Sequence, residues 1–318
     1  MLQADTNIRI RALAENDLAT ADHVMRVAFG TFVGMPQPET FMGDADFVHT
    51  RWRADPSAAF VAEIAGVVAG SNFATRWGSA GFFGPLSVRP DFWDRGIAQR
   101  LMEPVMDCFA RWHTRHAGLF TFAQSAKHVG LYQKFGFAPR FLTAVMGKSV
   151  QESSAAMPIE RYSRLRVDER PAALAACRQL TDAVFDGLDV TREICAVADQ
   201  HLGDTLLLWD GSVLVGFAVC HYGPGTEAGS GACYVKFGAV RPGASADRWF
   251  DALLTATEQL AYAQGASRLI ASMNTARHEA YRQMLSRGFR IDIQGVSMHR
   301  PNTEGYSRPA TFVIDDWR

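Results

Sequence analysis

The sequence lacks the cysteine spacing that makes a metal site or a disulfide framework. Its 318 residues contain five cysteines, Cys108, Cys177, Cys195, Cys220 and Cys233, an odd number with no C-x-x-C pair. Zinc ribbons and disulfide scaffolds are therefore excluded, no metal is expected, and buried free thiols in a reducing compartment are the reading. A long apolar run is also missing. The most apolar early stretch, residues 58–70, is interrupted by Glu63 and is too short to cross a bilayer. The opening residues, MLQADTNIRIRALAENDL, have no apolar core of the secretory kind, so a cytoplasmic location is expected. Charge of one sign is not in excess: the net charge is -1 and no basic run occurs. That argues against nucleic acid or an anionic membrane as a partner. Neither G-x-G-x-x-G nor a Gly-rich loop ending in Gly-Lys-Ser/Thr appears, which excludes the dinucleotide fingerprint and the P-loop. What is present is an ordinary globular composition, 48% hydrophobic and 20% charged.

The chain repeats itself. "LSVRPDFWDRGIAQRLM" and "GLYQKFGF" in the first half answer to "GAVRPGASADRWFDALL" and "EAYRQMLSRGF" in the second. Val88 and Val240 lie 152 positions apart, Tyr132 and Tyr281 149, Gly136 and Gly288 152, and Gly70 and Gly216 146. A period this long means duplicated domains, not a solenoid. The expected division is 1–148, a linker at 149–160 (SVQESSAAMPIE), and 161–318.

Each half reads as β-α-β-β-β-α-β-α-β. A pair of β-branched runs broken at Ala65-Gly66 predicts a hairpin. "AGFFGPLSV" reads as one strand closed by Pro90. From Gly96 to about His116 the residues Ile97, Leu101, Val105, Met106, Phe109 and Trp112 follow helical spacing. "KHVGLYQKFG" reads as a helix stopped by Gly136, and "FLTAVMGK" as a final strand. The fold class is α/β, a mixed sheet with helices on its faces, present twice.

The informative segment runs from Val88 to Met102. A strand enters Pro90, a short turn follows, and Gly96-Ile97-Ala98 opens a long helix. Such a junction points unpaired backbone N–H groups outward, and the helix dipole adds partial positive charge. Gly96 and Ala98 let a ligand approach the backbone, and Arg95 adds a fixed cation beside them. The arrangement suits a diphosphate.

In context, "V-R-P-x-x-W-D-R-G-I-A-x-x-L" followed by "L-Y-Q-K-F-G-F" resembles the GNAT N-acyltransferase superfamily. The second half shows the same layout in weaker form, so the chain is similar to two tandem GNAT-like acyl-CoA N-acyltransferase domains. The resemblance implies an acetyl-CoA cosubstrate and a splayed sheet that wedges its pantetheine arm. Backbone groups of Leu86, Ser87 and Val88 would pair with the arm, and the turn Trp93, Asp94, Arg95, Gly96, Ile97, Ala98 and Gln99 would hold the diphosphate. Ser125 stands where the family often has an Asn that contacts the cofactor. The chain departs from the family pattern at Trp93, usually Gln or Arg, and at Asp94, often Gly.

The resemblance also implies a catalytic acid. Tyr132 occupies the position from which a Tyr often protonates the departing thiolate. For the general base the leading candidate is Glu63 on an early strand, with Glu39, Asp46 and His49 in the segment that usually shapes the acceptor pocket. The apolar run Ala28–Phe41 either lines that pocket or caps the core. In the second half Arg248 and Phe250 stand where Gly96 and Ala98 stand in the first. Side chains this large would block a diphosphate, so a degenerate copy is expected; a shorter Ser245-Ala246 turn is the alternative. The function expected is acetyl transfer from acetyl-CoA to the amine of a small metabolite. The alternatives are a catalytically weak acyl-CoA-binding sensor or scaffold, and a protein–protein module without a ligand. A homodimer is left open.

Overall fold

The structure, a computed structural model, describes residues 8–152 and 159–318. Half of the expected linker, residues 153–158, lies outside the described residues. The first half runs β1 (Ile8–Ala12), α1 (Leu18–Phe32), α2 (Val48–Ala54), β2 (Ala59–Ile64), β3 (Val67–Trp77), β4 (Ala80–Phe83), β5 (Ser87–Val88), α3 (Ile97–Arg111), β6 (His116–Thr121), α4 (Ala126–Gln133) and β7 (Ala138–Ser149). The second runs β8 (Glu160–Arg161), α5 (Arg170–Val184), α6 (Thr191–Asp199), β9 (Gly203–Asp210), β10 (Val213–Gly223), β11 (Gly229–Val240), α7 (Ala246–Ala263), β12 (Arg268–Asn274), α8 (His278–Ser286), β13 (Arg290–Arg300) and β14 (Val313–Ile314). The two lists run alike, with α2 and α6 at matching places, except that β4 and β5 stand where the second half has β11 alone and that β14 is added at the end.

Local chemistry explains the elements. The β2–β3 hairpin turns at Ala65 and Gly66, both at positive φ (50° and 81°), the pair of left-handed residues that a two-residue hairpin needs. α3 buries Ile97, Leu101, Met102, Val105, Cys108 and Phe109 along one stripe. Each large apolar side chain on it contributes about 1.5–3 kcal/mol against exposure.

The strands form one 14-stranded sheet in the order β1-β2-β3-β4-β6-β13-β7-β12-β11-β10-β9-β8. The pairing therefore crosses the boundary expected between the halves. β13, the last long strand of the second half, is inserted between β6 and β7 of the first. β7 in turn pairs antiparallel with β12, Arg268 opposite Ser149 and Asn274 opposite Thr143. Each copy thus lends its final strand to the other. The expectation of two self-contained sheets gives way to strand exchange, which no local pattern distinguishes from an ordinary terminal strand.

The exchange brings two buried histidines together. His116 on β6 and His299 on β13 have ring centroids 4.8 Å apart, edge to face. Burial lowers both, to about 4 and about 3, with Arg140 adding to the effect on each and His116 adding to it on His299. Their folded-state pKa lies below the unfolded value of 6.5. The unfolded chain therefore binds more protons in that interval, and stability falls as pH drops from about 6.5. We expect the unfolding free energy from chemical denaturation to decline between pH 7 and pH 5, by up to about 1.4 kcal/mol per pH unit per histidine. His299→Gln should flatten that slope, and an unchanged slope would remove the pair from the account.

One strand predicted whole is broken. β4 pairs with β3, and in parallel with β6 from Ala80–His116 to Phe82–Gly118. At Gly84-Pro85 the chain turns away, and β5 continues on β3 alone, Ser87 opposite Ser71 and Val88 opposite Gly70. A Cβ at Gly70 would come 2.4 Å from the Ser87 carbonyl oxygen, so this close approach requires glycine. β6 runs on without β4, and the sheet parts between β5 and β6.

α1 and α2 cover one face of this region, packing on Val61, Val68 and Phe73. α3 and α4 cover the other, packing on Ala74, Phe83 and Leu119. Among the described residues no helix is long and apolar enough to cross a membrane.

Candidate active site

The parted strands open a cleft of about 950 Å³ that passes from the α3–α4 face toward α1. Most sequence-predicted residues meet there. Leu86, Ser87 and Val88 form one edge, and Trp93, Asp94, Gly96, Ile97, Ala98 and Gln99 the turn above it. Ser125 and Tyr132 line the opposite wall from α4. Because β5 pairs only with β3, its other edge faces the cleft.

Gly96 precedes α3 with φ of 79°, a left-handed conformation that favours glycine, and nothing lies within 4 Å of where its Cβ would be. It offers no side chain to cap the helix, so the first amides of α3 stand open at the cleft. Asp94 also has positive φ, 65°, and is turned outward: its Oδ1 lies 2.6 Å from Lys127 Nζ on α4. The departure at Asp94 therefore places no lone carboxylate at the amides. Trp93 does not plug the turn. Its indole Nε1 donates to the Val88 carbonyl at 2.7 Å, and Lys127 sits 5.8 Å from its ring centroid. Arg95 lies outside the cleft lining, its guanidinium over the Phe92 ring at 5.1 Å.

Tyr132 is buried against Phe83, with ring centroids 5.6 Å apart. Burial pushes its phenol well above the ordinary value, partly offset by a hydrogen bond with Thr121 at the end of β6. Ser125 accepts from the His128 amide at 3.4 Å and so begins α4. His128 lies beside Phe32, and burial together with the Lys127 cation holds its imidazole below the ordinary value.

The candidate bases are not brought here. Glu63 sits at the outer β1–β2 pair, 2.9 Å from Arg11 Nε. His49 is paired with Asp46 at 3.0 Å, Glu39 lies in a short 3₁₀ turn, and none of the three lines the cleft. The run Ala28–Phe41 does reach it: Ala28, Phe29, Phe32 and Phe41 are lining residues.

Two contributions come from the second half. The C-terminal segment crosses to the first: Trp317 packs on Gly118, and its carbonyl accepts from the Phe120 amide at 3.2 Å, on the edge of β6 that β4 has left. Arg318 reaches the cleft lining. Behind the cleft lies a buried ionic cluster. Arg51 on α2 donates to Glu227 at 2.9 and 3.2 Å, and Lys236 on β11 approaches Glu227 at 2.7 Å and Glu193 at 3.1 Å. Arg51 Nη1 also donates to the Gly84 carbonyl at 2.6 Å, at the point where the sheet parts. Sequence reasoning missed this cluster. Its one local signal is Lys236, a cation inside the apolar strand "CYVKFGAV".

Among the described residues the strands of the second half do not part in the same way. β11 stays continuous to Val240, and β14 fills the place beside it, Val313 opposite Ala239 and Ile314 opposite Gly238. The reason expected from Arg248 and Phe250 needs correction. α7 starts at Ala246, so both residues lie inside the helix, Arg248 exposed and Phe250 wholly in the core. The chain's own strand closes the slot, and Asp247 in the first turn of α7 takes up the positive helix end.

Residues 27–137 match the family model described as the acetyltransferase (GNAT) family. No curated protein matches the sequence. Among solved structures, the chain is similar to a putative acetyltransferase from Pyrococcus horikoshii, at 14% identity and a TM-score of 0.69, over 98% of this chain and 95% of that one. It is also similar to a GCN5-related N-acetyltransferase from Sphaerobacter thermophilus, at 17% identity and a TM-score of 0.60, over 94% and 96% of the two chains. Residues 27–137 are therefore similar to the GNAT acetyltransferase family, and the fold of the two solved structures extends across the chain.

Proposed function

We propose that this chain transfers the acetyl group of acetyl-CoA to the amine of a small molecule, with the chemistry confined to the first half. One observation carries the reading: the sheet parts between β5 and β6 beside an uncapped helix N-terminus, and does so only in the half that matches the family. The amides of Ile97, Ala98 and Gln99 bind the diphosphate, and the free edge of Leu86–Val88 pairs with the pantetheine arm.

In the reaction the amine lone pair attacks the thioester carbonyl, a C–N bond forms, and the C–S bond breaks. The departing sulfur takes the proton of Tyr132, and the proton shed by the amine nitrogen makes good the phenol through solvent. Burial raises the Tyr132 phenol, so it stays protonated and able to donate as the C–S bond breaks. Among the described residues Asp94 is the one acidic side chain lining the cleft, so no side-chain base is assigned and the amine reacts from its neutral form.

The test is CoA release measured with DTNB across an amine panel. We expect amine-dependent release, and a Tyr132→Phe variant with turnover lowered about 100-fold at unchanged CoA affinity in calorimetry. Wild-type turnover in that variant would strip Tyr132 of its role. Tight CoA binding with no release for any amine would favour the sensor reading.

A further inference from the structure

We propose that the acceptor is an amine carried on an aryl group, and that the aryl group binds in a ring-lined pocket between α1, the loop after it and Phe122. The proposal rests on the acetyl-transfer reading above and names its substrate class. The cleft leaves the sheet on the α1 face, opposite the helix end assigned to the diphosphate. There Met25, Phe29 and Phe32 present one stripe of α1, and Phe41 and Met42 face it from the loop. Phe29 and Phe41 are stacked, with centroids 5.5 Å apart and planes at 15°. Phe122 completes the slot, 4.8 Å from Phe32 and 6.5 Å from Phe29. Rings at these separations touch one another, so a flat acceptor ring packs on the faces that the cluster turns to the cleft and not between its members.

The pocket is held in shape by a side chain outside it. Arg26 binds Asp22 at 2.7 Å and donates to the carbonyls of Phe41, Gly43 and Ala45 at 2.8, 2.5 and 2.6 Å. The loop is therefore fixed on α1 before any acceptor arrives, and binding does not have to order it. A Cβ at Gly30 would lie 2.3 Å from the Pro38 carbonyl oxygen, so the loop folds back this tightly only over glycine.

Charge selects against the other amine class. Among the described residues Asp94 is the one acidic side chain lining the cleft, and it is paired with Lys127 at the turn. A polyamine entering here would desolvate a second ammonium with no unpaired acidic side chain of the cleft lining to receive it. A burying aryl group meets no such cost.

The experiment compares kcat/KM for 2-phenylethylamine, ethylamine and spermidine with acetyl-CoA, and repeats ethylamine with octanoyl-CoA. We expect 2-phenylethylamine to exceed ethylamine about 30-fold, the value of burying a phenyl group, and spermidine to fall below both. Phe41→Glu, checked for CoA binding by calorimetry, should reduce the ratio of 2-phenylethylamine to spermidine more than tenfold. Spermidine equal to or better than 2-phenylethylamine overturns the substrate class and leaves the transferase reading standing. A preference for octanoyl-CoA, with 2-phenylethylamine no better than ethylamine, assigns the pocket to the acyl chain and overturns the proposal. If no amine is acetylated, the transferase reading fails by itself. Calorimetric titration of 2-phenylethylamine into the CoA complex then decides the pocket: binding supports it, and its absence overturns it.

Discussion

Gly96→Glu should abolish CoA binding, with affinity falling by a factor of about 1,000 or more in calorimetry. Two costs combine. The residue sits at φ of 79°, where an L side chain costs about 1–2 kcal/mol. Its carboxylate would project into the open space before the α3 amides, where nothing now lies within 4 Å. A second negative charge about 4 Å from a bound phosphate costs about 4 kcal/mol at the effective dielectric of a protein surface. Gly96→Ala separates the terms, since it carries the backbone strain without the charge and should weaken binding only about tenfold. Retained affinity in the Glu variant would remove the turn from the cofactor site, wherever else CoA bound.

The second large effect concerns the joint between the halves. Glu227→Ala should destabilise the protein by about 3–5 kcal/mol, measured by chemical denaturation, because it leaves buried cations without their counter-ion. Burial alone would raise this carboxyl, but Arg51 and Lys236 more than offset that and hold it well below the usual carboxylate range. The contribution is therefore fully present above an unfolded value of 4.5 and is lost as pH falls below it. Replacing both Glu227 and Arg51 by apolar residues of similar size should recover much of the loss, since a buried pair is costly chiefly when halved. Activity should not recover with it. Arg51 also fixes the Gly84 carbonyl, 2.6 Å away at the point where the sheet parts, so the double variant should fold and turn over slowly. An unchanged denaturation midpoint in Glu227→Ala would show that the cluster does not hold the halves together.

These effects divide along the line between local and non-local information. The repeat was legible because paralogous anchors such as Gly136 and Gly288 each end a helix, a demand made within a few residues. The turn at Gly96 was legible for the same reason. Tyr132 and Ser125 were placed on the cleft by resemblance, and both line it. Glu63 was misjudged because a strand acid carries no sign of its partner: Arg11 meets it from another strand, 52 positions away. Arg248 and Phe250 were misaligned because α7 begins one turn earlier than the paired sequences suggest.

By itself the sequence determined most of the element order, the repeated anchors and the amide turn, since helix periodicity, glycine conformation and capping act over one or two turns of chain. Only the tertiary structure decided that β7 and β13 change places, that β14 closes the second slot, and that Arg51 meets Glu227 across 176 positions. Those outcomes depend on which backbone edges and buried charges find one another, and a hydrogen-bonding edge looks the same in sequence whichever strand completes it.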